Sequence, residues 1–125
     1  MSEKADRTIL IVDDEESISL LYSAELEDRG YVVRTQNTGR EVPEDVARWK
    51  PDLIVLDIKM PDISGLELLQ VIKESHPQVL VVMNSAYSTF QTEPSVQKAD
   101  GYVVKSSDLT ELMETIERLL FPKTG

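Results

Sequence analysis

The residues suited to chemistry stand at the ends of apolar runs. Asp13 and Asp14 follow Ile9-Leu10-Ile11-Val12, and Asp57 follows Leu53-Ile54-Val55-Leu56. Ser85 closes Val79-Leu80-Val81-Val82-Met83-Asn84, and Lys105 closes Gly101-Tyr102-Val103-Val104. Three carboxylates in one crevice repel, so at least one acquires a raised pKa or recruits a cation. An oxygen-only donor set favours a hard ion, and Mg²⁺ is the expected one. A divalent cation, an ammonium and a hydroxyl facing a carboxylate form a receptor for a phosphoryl group on that carboxylate. Such groups neutralise the equatorial oxygens during in-line transfer. Asp57 is therefore the expected nucleophile, forming an aspartyl phosphate.

Something must bring these residues together. Short apolar runs rich in β-branched residues and bounded by turn signals read as buried strands. Five are expected, at 8–12, 31–36, 53–56, 79–83 and 101–105. The second is mixed in polarity, as an edge strand is. Between them, Ile18, Leu21, Tyr22 and Leu26 predict a helix over about 17–29, with Gly30 as its stop. Val42, Val46, Ala47 and Trp49 predict a second helix, with Pro43 in its first turn. Ser64-Gly65-Leu66-Glu67 has capping-box spacing and opens a third, with Leu66, Leu69 and Ile72 facing inward. Tyr87 to Lys98 shows little periodicity, so at most a short helix is expected near Pro94–Lys98. Asp108, three before Glu111, should cap a last helix with the stripe Leu109, Leu112, Met113, Ile116, Leu119 and Leu120.

This βα alternation predicts an α/β fold, a doubly wound five-stranded parallel sheet, and the flavodoxin-like order 2-1-3-4-5, common among such sheets, is the order expected. Ligands of such sheets bind beyond the carboxyl ends of the strands, at the switch point between the first and third. Asp13, Asp14 and Asp57 fall there, Ser85 approaches from the fourth strand and Lys105 from the fifth.

Composition narrows the functional classes. The chain has 125 residues, which suits one domain, with residues 1–7 expected to fray. A formal net charge of −10 argues against non-specific binding to nucleic acid or to anionic membranes. The absence of cysteine excludes disulfides, thiol catalysis and thiolate–metal sites. Without an apolar signal core or a run of about 18 apolar residues, a cytoplasmic location is the expectation. His76, the only histidine, sits before Pro77 and reads as structural or solvated, and Trp49 reads as packing.

Four segments together carry a family resemblance: Ile11-Val12-Asp13-Asp14-Glu15, Asp57 through Gly65, Asn84-Ser85-Ala86-Tyr87, and Tyr102-Val103-Val104-Lys105. In this order, each at a strand end, they resemble the response-regulator receiver domain of two-component signalling over about residues 7–121. The resemblance implies that Asp57 accepts phosphate from a sensor histidine kinase or phosphotransfer protein. It implies that Asp14, Asp57 and the backbone carbonyl of Lys59 ligate Mg²⁺, with Asp13 acting through water. Ser85 and Lys105 would bind phosphoryl oxygens. Ser85 and Tyr102 would form a coupled switch that reshapes a surface for a downstream protein.

On this reading the chain is a stand-alone phosphorylatable module, with no output domain in residues 1–125. It modifies only itself rather than turning over a free substrate. The alternatives are a degenerate receiver acting as a constitutive docking module and a Mg²⁺-dependent aspartyl phosphohydrolase. The second lacks an evident general acid, because Lys59 stands two after the nucleophile.

Three departures from the family pattern stand out. Ser106 replaces the usual proline after the lysine, so the bond is either trans with a rearranged loop or retains strain. Ser85 and Lys105 are about two residues closer in sequence than is usual, which points to a short or displaced helix between them. Lys59 and Tyr87 occupy positions through which family members tune dephosphorylation.

Overall fold

The computed structural model describes residues 3–123. Its order is β1 (Thr8–Val12), α1 (Glu16–Asp28), β2 (Val32–Gln36), α2 (Val42–Trp49), β3 (Leu53–Leu56), α3 (Gly65–Ser75), β4 (Leu80–Ser85), β5 (Gly101–Val104) and α4 (Thr110–Leu120). All strand pairs are parallel, as the alternation predicts, and the sheet has the expected order β2-β1-β3-β4-β5.

Alternating side chains of the central strands feed two cores. On one face Leu10, Val12, Ile54, Leu56, Val81 and Met83 meet Val42 and Val46 of α2 and Leu68, Leu69 and Ile72 of α3. On the other, Ile9, Ile11, Leu53, Val55, Val82 and Val103 meet Tyr22 and Leu26 of α1 and Leu112, Met113, Ile116 and Leu120 of α4. Burial on both faces explains why β1 and β3 read as unbroken apolar runs. In β2 the side chains are exposed or half-buried, as befits an edge.

Several local expectations need correction. Leu21 is 48% exposed and Leu20 64%; Ser19, Tyr22 and Leu26 form the inward stripe of α1 instead. The spacing 19, 22, 26 keeps one face at 3.6 residues per turn, and Leu21 falls off it. Ser64 caps α3, but through the Leu66 N–H at 3.1 Å rather than that of Glu67. Asp108 lies before the N-cap, Leu109, and accepts from the Thr110 N–H at 2.9 Å. β4 extends through Ser85, so this residue belongs to a strand. Gly30 ends α1 with φ 102°, a conformation that only glycine adopts without strain.

Of the amino-terminal segment expected to fray, Met1 and Ser2 lie outside the described residues. Glu3–Asp6 is a 3₁₀ turn. Lys4 pairs with Glu117 at 3.4 Å, and the Arg7 guanidinium lies over the Phe121 ring. These contacts hold the segment against α4.

Between β4 and β5 the chain makes two 3₁₀ turns, Ser88–Thr92 and Pro94–Lys98, in place of an α-helix. The second matches the short element expected there. Val96 is the buried residue of this stretch, and it seats the segment on the α2–α3 side of the sheet. Buried Val96 and half-buried Phe90 lie six residues apart, which gives no 3.6-residue stripe to sustain a longer helix.

Candidate functional site

The carboxyl ends of the strands assemble the site. Val12 and Leu56 are paired across β1 and β3, so the residues after them emerge side by side. The Asp57 N–H donates to the Val12 carbonyl at 3.0 Å, which extends that pairing by one residue. The Lys105 N–H donates to the Ser85 carbonyl at 2.7 Å and fixes the end of β5 against β4.

Oxygens of Asp13, Asp14 and Asp57 lie within 4.8 Å of one another. Asp13 and Asp57 are buried, and Asp14 is exposed at the mouth. The Lys105 ammonium enters between the two buried carboxylates, 2.8 Å from Asp13 Oδ2 and 3.4 Å from Asp57 Oδ2. The other Asp13 oxygen accepts the Glu15 N–H at 2.9 Å, which sets the rotamer of that side chain.

Burial pushes the Asp57 carboxyl up to about 6; Lys105 opposes the shift, and Asp13 and Asp14 add to it. The raised pKa expected of a carboxylate trio is therefore present, but desolvation outweighs mutual repulsion as its cause. Burial pulls Lys105 down, yet the Asp13 hydrogen bond and the charges of Asp13 and Asp57 outweigh it, and its pKa is raised. Lys105 thus stays an ammonium. Two to three carboxylates against one ammonium leave a net negative pocket with oxygen donors only, the donor set a hard divalent cation takes. The residues present fit Mg²⁺.

The loop after Asp57 depends on close backbone approach. The Gly65 N–H donates to the Ile58 carbonyl at 2.7 Å. A Cβ on Gly65 would lie 2.0 Å from the Asp57 carbonyl oxygen and 2.8 Å from the Ile58 Cα. Asp62, farther along, accepts from the Gly39 and Arg40 N–H groups at 3.2 and 2.9 Å, tying this loop to the β2–α2 turn.

Asp13, Asp14, Asp57 and Lys105 therefore converge as their positions in sequence predict. Ser85 is buried at the end of β4, where its hydroxyl accepts the Tyr87 N–H at 3.1 Å. The half-buried Tyr102 donates its hydroxyl to the Tyr87 carbonyl. Lys59 is exposed, and its ammonium lies 4.5 Å from the centre of the Tyr87 ring and 5.9 Å from that of Phe90. The Lys105–Ser106 bond is trans. Ser106 caps the loop before α4 by accepting the Asp108 N–H at 3.1 Å. His76 lies away from the site, lining a cavity with Lys50 and Gln78.

Sequence reasoning missed Asn84. Its amide donates to the Val103 carbonyl at 2.9 Å and accepts the Tyr22 hydroxyl at 2.7 Å. This buried bridge joins β4, β5 and α1 directly behind the site. An amide inside an otherwise apolar strand was the available signal, because a buried polar group demands partners.

The family model described as the response regulator receiver domain matches residues 9–117. The nitrogen assimilation regulatory protein NtrX of Azorhizobium caulinodans is 40% identical over 116 residues, covering 90% of this chain and 26% of that protein. The chain spans about a quarter of the length of the curated relatives it matches. The response regulator TrrA of Thermotoga maritima, in a crystal structure with Mg(2+)-BeF, superposes with a TM-score of 0.87 at 38% identity, covering 90% of this chain and 98% of that one. TrrA in complex with the histidine kinase ThkA gives 0.86 at 38% identity, covering 91% and 98%.

Proposed function

This chain belongs to the response regulator receiver domain family, and from that premise we propose that Asp57 is its phosphoacceptor in a two-component pathway. The observation that carries the assignment is the Lys105 ammonium set between Asp13 and Asp57, with Asp14 beside them. An Asp57 oxygen attacks the phosphorus of a phosphohistidine. The P–N bond breaks, its electron pair stays on the imidazole, and that nitrogen takes up a proton. Lys105 is placed to neutralise a phosphoryl oxygen as charge builds on it.

Asp13, Asp14 and Asp57, with the Lys59 carbonyl, would hold Mg²⁺. The bound ion would supply positive charge opposite the phosphoryl oxygens. Ser85 offers a hydroxyl from the adjoining strand, and Tyr102 is the candidate for relaying the change outward. The partners on this reading are a sensor histidine kinase, as TrrA has in its complex with ThkA, and a downstream protein. The chain acts as a signalling module that modifies itself.

The test is intact mass after incubation with a small acyl phosphate, with and without Mg²⁺. One Mg²⁺-dependent phosphate on wild type and none on Asp57→Asn is the expected result. Modification of Asp57→Asn would overturn the assignment. An absent adduct on folded wild type, with no fluoroberyllate binding, would favour a constitutive docking module.

A further inference from the structure

Tyr87 is held at three points. Its N–H donates to Ser85 Oγ at 3.1 Å, its carbonyl accepts the Tyr102 hydroxyl, and its ring carries the Lys59 ammonium at 4.5 Å. The same ammonium lies 5.9 Å from the centre of the Phe90 ring, which meets Tyr87 edge-on at 6.2 Å. Lys59 thus clamps the loop after β3 to the 3₁₀ turn after β4. The clamp is built from opposite sides of the site: Lys59 follows Asp57 by two residues, and Tyr87 follows Ser85 by two.

An exposed cation over a neutral ring is weakly held. A phosphoryl group on Asp57 would place a dianion within reach of the same flexible side chain, and a charge-assisted contact to it outcompetes a ring face. Two of the three restraints on Tyr87 come from groups that such a dianion attracts, the Lys59 ammonium and the Ser85 hydroxyl. We propose that Lys59 is a latch on Tyr87–Thr92, closed on the two rings in the unmodified chain and drawn off them by the phosphoryl group. No bond to Lys59 forms or breaks; it is a positioning residue that exchanges one contact for another. Tyr87 is already 49% exposed, so an opened latch frees its ring, while Phe90 stays half-buried against the α2–α3 core.

The inference rests on Asp57 being the phosphoacceptor, so its test reports the two separately. The probe is Mg²⁺ with fluoroberyllate, added to the 125-residue chain carrying ¹³C-labelled lysine. Fluorine NMR reads occupancy of Asp57, and proton–carbon NMR reads the Lys59 ε-methylene, assigned by its disappearance in Lys59→Arg. In the free chain that signal should be shifted upfield by the rings. The shift should shrink in Tyr87→Leu, a change at an exposed position, and in Phe90→Leu, which keeps an apolar side chain against the core. With fluoroberyllate bound, the signal should return to the ordinary lysine position while the amides of residues 87–92 change. Bound fluoroberyllate with an unmoved Lys59 signal would overturn the latch and leave the phosphoacceptor assignment standing. An absent ring shift in the free chain would overturn the latch alone. No bound fluoride on wild type would remove the assignment and the latch with it.

Discussion

The Lys105 ammonium makes its closer ion pair with Asp13, at 2.8 Å, and reaches Asp57 only at 3.4 Å. It therefore competes with any cation for Asp13 while standing ready for a group on Asp57. Lys105→Met should bind Mg²⁺ more tightly, because a competing positive charge is gone. It should also accept phosphate more slowly, by about 100-fold, because one charge-neutralising donor is lost. Calorimetric Mg²⁺ titration and the rate of adduct formation by mass check both. A mutant that loses Mg²⁺ affinity would show that Lys105 organises the carboxylates rather than competing for them.

The raised pKa of Asp57 ties stability to pH. An acid whose folded-state pKa lies above its unfolded value favours folding where it is protonated. That contribution is complete below the unfolded value near 4 and is lost as pH rises through about 6. At neutral pH the metal-free fold should thus carry a penalty of about 3 kcal/mol for burying this charge. Metal-free Asp57→Asn should then be more stable than wild type at pH 7.5, by about 1–3 kcal/mol in urea unfolding. The gap should close toward pH 4 and shrink on adding Mg²⁺. A gap independent of pH would place its origin elsewhere.

Gly65→Ala tests the backbone approach behind Asp57. The new methyl would meet the Asp57 carbonyl at 2.0 Å, and that atom belongs to the main chain, so it cannot rotate away. Overpacking of this kind costs about 1–3 kcal/mol and here also displaces Asp57, the proposed nucleophile. Thermal unfolding should show the loss, and phosphate incorporation should drop together with it. Wild-type incorporation in Gly65→Ala would mean that the loop relaxes freely.

Asn84→Ala should destabilise the chain by about 2 kcal/mol, since it leaves the Tyr22 hydroxyl and the Val103 carbonyl buried without a partner. In a Tyr22→Phe background one of the orphans is already gone, so the same change should cost less. Equal costs in both backgrounds, measured by urea unfolding, would show that the bridge does not act as a unit.

Much of this was legible in the sequence because the central strands are buried on both faces. Ile9–Val12 and Leu53–Leu56 stand out as unbroken apolar runs, and each is followed by aspartate at its carboxyl end. Leu21 misled because one exposed leucine fits a helical stripe as well as a buried one does. Asn84 signalled that it needed partners but not which ones, and Phe90 carried no local pattern; their partners, Tyr22 and Lys59, lie 62 and 31 residues away in the chain. The capping detail at Ser64 and Asp108 was ambiguous because a cap can serve either of two adjacent N–H groups. The shortness of the element before β5 was legible from the lack of periodicity, and Val96 as its sole buried anchor was not.

The order in which strands deliver the site has a consequence during synthesis. Asp13, Asp14 and Asp57 leave the ribosome long before Lys105, which follows the last strand. Until residue 105 is out and β5 has zipped onto β4, the acidic crevice lacks its ammonium. On the proposed function, a growing chain should therefore be a poor phosphate acceptor until β5 is in place.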